Sequence, residues 1–401
     1  MKFSKPQKYH LIYFYLLYFF QVGAGAVFWP FLSNFLISKG VSATTLGTIL
    51  ASGVVAGLIG YNVLGYISDK IRRFDLIILF LYTTGFLCMA VIENTTAILV
   101  IFIAYMVYGF ASTPIDGIID TWAIESYQDN TIKRYFGIIR SGGSLGYSIA
   151  IITSGLLISN ADHFENIIPF SYAAGLLCIG YMLYMKANRN INKFYGAQKK
   201  EKQNLWGNIK ELFAVKQYSF LLAICLLLHI PINIITLFTP YLFYSLGGGS
   251  RDQAIFAGLG AMFEIPFFFI SSKLLSKYKT HFLILLSSFA VVIKILIFIT
   301  ADSPSMLLVA SIFSTIEFAI FYPAIRFEVS KVAPEHLKTT AQTVISVFYS
   351  SIPQILASLI GGRMIEWIGV HSAFSIAFCG LILVIFVFAV YLFMSSRRKC
   401  S

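Results

Sequence analysis

Charge is scarce in this sequence: only 12% of its 401 residues are Asp, Glu, Lys or Arg, against about 25% in a water-soluble domain. With 58% hydrophobic residues and a mean hydropathy of +0.78, that scarcity excludes a soluble enzyme or binding module. A polytopic membrane protein is left. Cysteine is sparse as well. Cys88, Cys178, Cys225, Cys379 and Cys400 form no C-x-x-C pair and no metal spacing; they read as free thiols packed as small apolar residues, without a disulfide framework. The six histidines show no metal-binding spacing. There is no H-E-x-x-H and no Ser or Cys nucleophile with a readable base, so neither an enzyme active site nor a resident metal or cofactor is expected. Gly247-Gly-Gly-Ser250 lacks the Lys-Ser/Thr that a phosphate-cradling loop requires.

Long apolar runs, by contrast, recur along the whole chain. Twelve blocks each approach or exceed the roughly 20 residues that a helix needs to cross hydrocarbon: Leu11–Leu36, Leu46–Ser68, Leu76–Ile92, Ala97–Ala123, Tyr135–Ile158, Ile167–Met185, Tyr218–Leu246, Ala254–Leu274, Phe282–Thr300, Met306–Ile325, Thr339–Gly361 and Ser372–Met394. The first is too long for a signal-peptide core and is expected to stay uncleaved. Pro30 predicts a kink near its end, since membrane helices tolerate Pro where neighbours satisfy the freed backbone groups.

The net charge of +12 reports topology rather than a nucleic-acid partner. Lys and Arg gather in alternate connections, from Lys2, Lys5 and Lys8 through Lys70, Arg72 and Arg73 to Arg326, Lys331 and Lys338, whereas the opposite connections hold only Lys39, Arg251 and Arg363. By the positive-inside rule both termini and the central polar stretch are cytoplasmic, and the number of spans is even. That stretch, Lys186–Lys216, reads as a linker, helical from Asn204 onward, with Trp206 and Leu212 at the membrane interface.

Against this background the charges inside apolar blocks stand out, because each costs roughly 2.5–3.5 kcal/mol at mid-bilayer depth. Asp116, Asp120 and Arg140 lie between Thr113 and Tyr147. If Glu125–Arg134 turns the chain between antiparallel helices, Asp120 and Arg140 fall at similar depth and can meet, with Asp116 one turn from Asp120 on the same face. Gln21 and Trp29 of the first block are candidate solute contacts. In the second half Glu264, Lys294 and Glu317 each lie about three turns from a cytoplasmic helix end. A Glu at that depth is too short to snorkel to the interface. Two readings stay open for both sets: ion pairs that only fix packing, or a solute site and a proton site.

The residues Gly65-Tyr-Ile-Ser-Asp69-Lys70-Ile-Arg72-Arg73 resemble the signature G-x-L-[AS]-D-[RK]-x-G-[RK]-[RK] of the major facilitator superfamily, with the second Gly missing. The resemblance implies an all-α fold of twelve transmembrane helices in two pseudo-symmetric six-helix bundles: residues 1–186, a cytoplasmic linker 187–217, and residues 218–401. A weaker counterpart, Ser271-Ser-Lys273-Leu-Leu-Ser-Lys277, is what such internal symmetry predicts. It also implies a conformational latch at Asp69 and Arg73. Tyr135-Phe-Gly137-Ile-Ile-Arg140-Ser-Gly-Gly-Ser144-Leu-Gly146, Glu264-Ile-Pro-Phe, and Ala333-Pro334-Glu335 through Ala341-Gln342 with Gly361-Gly362 narrow the resemblance. They resemble the oligosaccharide:proton symporter branch and its nucleoside and phenylpropionate permease relatives.

That branch implies solute binding by Asp120, Arg140, Glu264, Asp116, Tyr147 and Gln21, and proton coupling through Glu317 and Lys294. Ser314 stands where the branch has its coupling histidine, the acidic pair of the seventh span is missing from the region His229–Asn233, and Tyr147 replaces a sugar-stacking tryptophan. These departures weigh against a galactoside. The expectation is a monomer in the lipid bilayer that imports a small polar solute, a sugar or glycoside first and otherwise a nucleoside or aromatic acid. The coupling ion is H+, and ionic groups from both halves are expected to converge on one central water-filled cavity. Proton-driven efflux is the rival within transport, weakened because Ser141–Gly155 has glycines but no proline. An integral-membrane enzyme is the rival from another class.

Overall fold

The computed structural model describes residues 5–125, 130–158, 163–187 and 205–397. Among the described residues every long element is helical: α1 (Lys5–Ala26), α2 (Leu32–Ser38), α3 (Ala43–Ile71), α4 (Phe74–Glu93), α5 (Ile98–Ser112), α6 (Ile115–Glu125), α7 (Asn130–Ile158), α8 (Ile168–Ala187), α9 (Leu205–Ala214), α10 (Lys216–Ser245), α11 (Ser250–Lys277), α12 (Thr280–Thr300), α13 (Pro304–Val332), α14 (Lys338–Ser346), α15 (Ile352–Ile368) and α16 (Val370–Arg397). Eleven helical stretches are long and apolar enough to cross a membrane, and α11, 28 residues long, covers the remaining block Ala254–Leu274.

Three blocks expected as single helices are interrupted. Around Pro30 the first becomes α1, a short 3-10 turn Trp29–Phe31, and α2, a break rather than a kink. The fourth divides at Thr113–Pro114 into α5 and α6, which puts Asp116 in the first turn of α6, where the partial positive charge of the helix N-terminus favours a carboxylate. The eleventh is α14 and α15 joined by a π-helical turn, Val347–Ser351. Elsewhere Pro231, Pro240, Pro266 and Pro323 sit inside continuous helices.

The chain forms two compact units: Met1–Val41 with Ile49–Lys199, and Ser42–Thr48 with Lys200–Ser401. In the first, α7 lies tightly along α1. A Cβ at Gly142 or Gly146 would collide with the carbonyl oxygens of Tyr15 and Phe19, and Gly23 of α1 faces Gly146 in turn. This is the small-xxx-small seam by which membrane helices approach closely. Around it Phe14, Leu17, Tyr18, Ile119, Trp122 and Ile139 are fully buried. In the second unit α13 packs on α11 and α12, pinned where the Thr315 hydroxyl donates to the Gly260 carbonyl at 2.8 Å. Leu212 of α9 is fully buried instead of lying at the membrane interface, because α9 packs on α10 and α14; the side chain of Trp206 lies outside the described residues.

At the signature loop, Arg72 takes φ +53°, a left-handed conformation that glycine adopts more easily. The residue standing where the signature has its second Gly is therefore held in the conformation that explains the Gly. Arg73 then forks onto Asp75 of α4, Nε to Oδ1 at 3.1 Å and Nη2 to Oδ2 at 3.2 Å. That pairing holds the exposed guanidinium above the usual arginine range, through the hydrogen bond and then the charge of Asp75. The sequence reading paired Arg73 with Asp69 as a latch and overlooked Asp75, which is buried; the side chain of Asp69 lies outside the described residues.

Candidate functional site

In the first unit α1 and α6 present polar residues at matching spacings. Tyr18 and Gln21 are one turn apart on α1, and Asp116 and Asp120 one turn apart on α6, so each pair shares a helix face. The Tyr18 hydroxyl donates to Asp120 Oδ1, and the Gln21 amide lies near the Asp116 carboxylate. Across from them, Arg140 Nη1 of α7 donates to Asp120 Oδ2 at 3.1 Å. The glycine seam brings α7 close enough to α1 for one carboxylate to accept from both helices.

Two features of this cluster bear on the choice between a solute site and an ion pair that only fixes packing. The Arg140 side chain is 54% exposed and Asp120 26%, so the pair is not sealed in the core. A charged group facing acyl chains would be costly, so the open side of Arg140 is read as facing water. One of the five N–H donors of a guanidinium is spent on Asp120. The Gln21 amide oxygen is also buried without a hydrogen-bond partner among the described residues, which leaves an acceptor aimed beside the carboxylates. A solute with hydroxyl or amide groups complements such a set.

Tyr147 lies two turns beyond Arg140, roughly 10 Å along α7, packed against Ala26, Val27 and Ala150. Trp29 is partly buried, with its ring stacked on Tyr108 at a centroid distance of 3.4 Å and 19°.

In the second unit the structure brings together two of the three isolated charges. Lys294 Nζ of α12 lies 3.6 Å from Glu317 Oε2 of α13, with side-chain exposures of 6% and 12%. No further hydrogen bond to the Lys294 ammonium is found among the described residues, so the pair lacks the extra partners that normally offset burial of two charges. Glu264 is half-buried and has no ion pair among the described residues; it sits one turn from Gly260, whose carbonyl accepts from Thr315. Ser314 points back to the Ala310 carbonyl at 3.5 Å.

The sequence reading missed an aromatic and basic group next to that pair. Tyr349, in the π-helical turn, packs on Phe321, Tyr322 and His229 with centroids 5.7, 5.7 and 4.3 Å away. His229 Nδ1–H donates to the Cys225 carbonyl at 2.8 Å, and its Nε2 is buried without a partner among the described residues. No group of three or more potential metal ligands occurs among the described residues.

Comparison with known proteins gives consistent relatives. The model of a family described as MFS_1-like matches residues 10–376. The chain is 25% identical over 389 residues to an uncharacterized transporter, YwbF, of Bacillus subtilis (strain 168), covering 96% of this chain and 93% of that one. It is 22% identical over 288 residues to a probable 3-phenylpropionic acid transporter of Escherichia coli (strain K12), covering 70% and 71% of the two chains. Among solved structures, the nucleoside transporter NupG superposes with a TM-score of 0.79 at 17% identity over 95% of this chain and 98% of that one. A bacterial homolog of the human lysosomal transporter Spinster, inward-facing and occupied, superposes with a TM-score of 0.69 at 14% identity over 98% of each chain.

Proposed function

We infer the following for this chain, which belongs to the MFS_1-like family of multi-pass membrane transporters: it couples uptake of a small polar solute to the inward movement of protons, as a monomer with both termini cytoplasmic. The observation that carries the reading is a division of labour between two ion pairs. Asp120–Arg140 is half-exposed and keeps unused donors, as a recognition site requires. Lys294–Glu317 is buried and poorly satisfied, so its ionisation state responds to small changes in separation.

A carboxylate stripped of water is penalised when ionised, and an ammonium at 3.6 Å offsets that penalty. Moving Lys294 away by a few ångströms removes the offset and lets Glu317 take a proton; its return expels it. Asp116, Asp120, Arg140 and Gln21 supply solute contacts in the first unit, and Glu264 is a candidate acceptor within the second. Of the solute classes raised by the sequence, a nucleoside or an aromatic acid receives more support than a sugar. The relatives are named for 3-phenylpropionic acid and for nucleosides, and the Trp29 ring is already stacked on Tyr108. Export of the solute is the second reading, distinguished by the direction of movement under an imposed gradient.

The test is Glu317→Gln in proteoliposomes. Solute exchange down its own gradient persists while accumulation driven by an inward proton gradient disappears. Accumulation equal to the unmodified protein refutes the assignment.

A further inference from the structure

Arg326 reads in the sequence as one of the cytoplasmic charges that set topology, and such a residue normally extends its head group into water. The structure folds it the other way. Its guanidinium lies 4.5 Å above the Tyr322 ring, Nη2 donates to Ser346 Oγ at 2.8 Å, and Nη1 makes a long contact of 3.4 Å with Gln342 Oε1. Gln342 is fixed in turn by donating to the Arg326 carbonyl at 2.7 Å and to Ser330 Oγ at 2.8 Å. Nε is buried and has no partner among the described residues.

No carboxylate pairs with this guanidinium among the described residues. Glu328, two residues on, is engaged by His281 at 3.4 Å and Lys331 at 3.8 Å. A half-buried arginine held by neutral oxygens, with an unsatisfied buried N–H, is a costly arrangement that an anion would complete. The neighbouring backbone is also unusual: Ser346 and Tyr349 sit at and within the π-helical turn Val347–Ser351, a feature found often at functional sites. The Tyr322 ring lies against the charge, and Tyr349 packs on Tyr322 with centroids 5.7 Å apart.

We propose that Arg326, with Ser346, Tyr322 and Tyr349, forms a binding site for the carboxylate of a ring-bearing organic anion, the guanidinium taking the carboxylate and the tyrosines the ring. This rests on the transporter reading and sharpens it to a solute class. The fork matches a carboxylate in two-point contact, and the adjacent rings favour an aryl group over a bare inorganic anion.

The test measures equilibrium binding to the purified full-length protein in detergent by calorimetry, with 3-phenylpropionate, its neutral amide and uridine as probes. The unmodified protein binds 3-phenylpropionate about 30-fold or more tightly than the amide, Arg326→Gln loses about the same factor, and Arg326→Lys recovers only part of it. Ser346→Ala, which leaves the charge in place, loses several-fold and guards against a variant that fails to fold. Equal affinity for acid and amide, no binding of 3-phenylpropionate, or unchanged affinity in Arg326→Gln overturns the proposal. So does displacement by phosphatidylglycerol with no response to 3-phenylpropionate, which makes the group a lipid-headgroup site. Binding needs no proton gradient, so the two readings fail separately. Arg326-dependent binding without proton-driven accumulation sinks the coupling and keeps this site; proton-driven uridine uptake without carboxylate binding does the reverse.

Discussion

Replacing Arg140 separates a recognition role from a packing role, because the structure assigns the two very different magnitudes. The Asp120–Arg140 pair is one hydrogen bond of 3.1 Å with the arginine side chain 54% exposed. A pair so solvated contributes about 0–1 kcal/mol to stability, and Asp120 keeps the Tyr18 hydroxyl when the guanidinium is gone. Arg140→Gln is therefore expected to leave the folded protein nearly as stable as before. If the unused donors bind solute, truncating them costs about 2–5 kcal/mol of affinity, which is roughly 30-fold to several thousand-fold in Kd. Arg140→Lys keeps the charge and loses the planar fork, so most of that loss persists. Thermal unfolding in detergent reads the first quantity, and solute binding scored across uridine, 3-phenylpropionate and lactose reads the second. A large fall in unfolding temperature with unchanged affinity for the transported solute would show that Arg140 only holds helices together.

Other substitutions probe the supports of the site. Tyr18→Phe removes a hydrogen bond to a charged acceptor and is expected to cost about 1.5–3 kcal/mol in solute affinity or stability; an unaltered protein in both assays refutes the contact. Gly146→Leu drives a side chain into the Phe19 carbonyl, a clash of about 1–3 kcal/mol or more, read as a lower unfolding temperature together with lost binding, while Gly180→Ala, with open space around it, changes neither. Lys294→Met leaves Glu317 buried without its cation. Exchange is expected to survive and proton-driven accumulation to fail, as in Glu317→Gln, and the double variant is expected to be no worse than either single one.

Much of this was readable before any coordinates. A charge in an apolar run has a depth that follows from counting residues, and that count alone brings Asp120 to Arg140 and Lys294 near Glu317. The parts that escaped share one property: their signal is direction, which a linear string does not carry. Tyr18 is one of 23 tyrosines in an aromatic-rich first helix, and only its spacing from Gln21 hints that both face α6. Asp75 follows the signature loop and looks like an ordinary first-turn carboxylate until Arg73 is seen forked onto it. The break at Thr113–Pro114 could be inferred from Pro114; the π-helical turn at Val347–Ser351 could not, because it reflects a hydrogen-bond register rather than a residue preference.

Arg326 shows why direction matters most for the residues that read as topology signals. Its position, six residues before the end of α13 at Val332, about 9 Å along the axis, is what the positive-inside rule assigns to a solvated cation, and the rule is indifferent to where the side chain turns. Three facts decide it: the head group lies over Tyr322, its nearest polar partners are uncharged, and the local acid Glu328 is already engaged. An arginine that merely marked the cytoplasmic side would gain by swinging outward, since hydration satisfies all of its donors at once. It is held inward by Ser346 and the Tyr322 ring with Nε unsatisfied, and a bound anion would offset what that leaves unpaired.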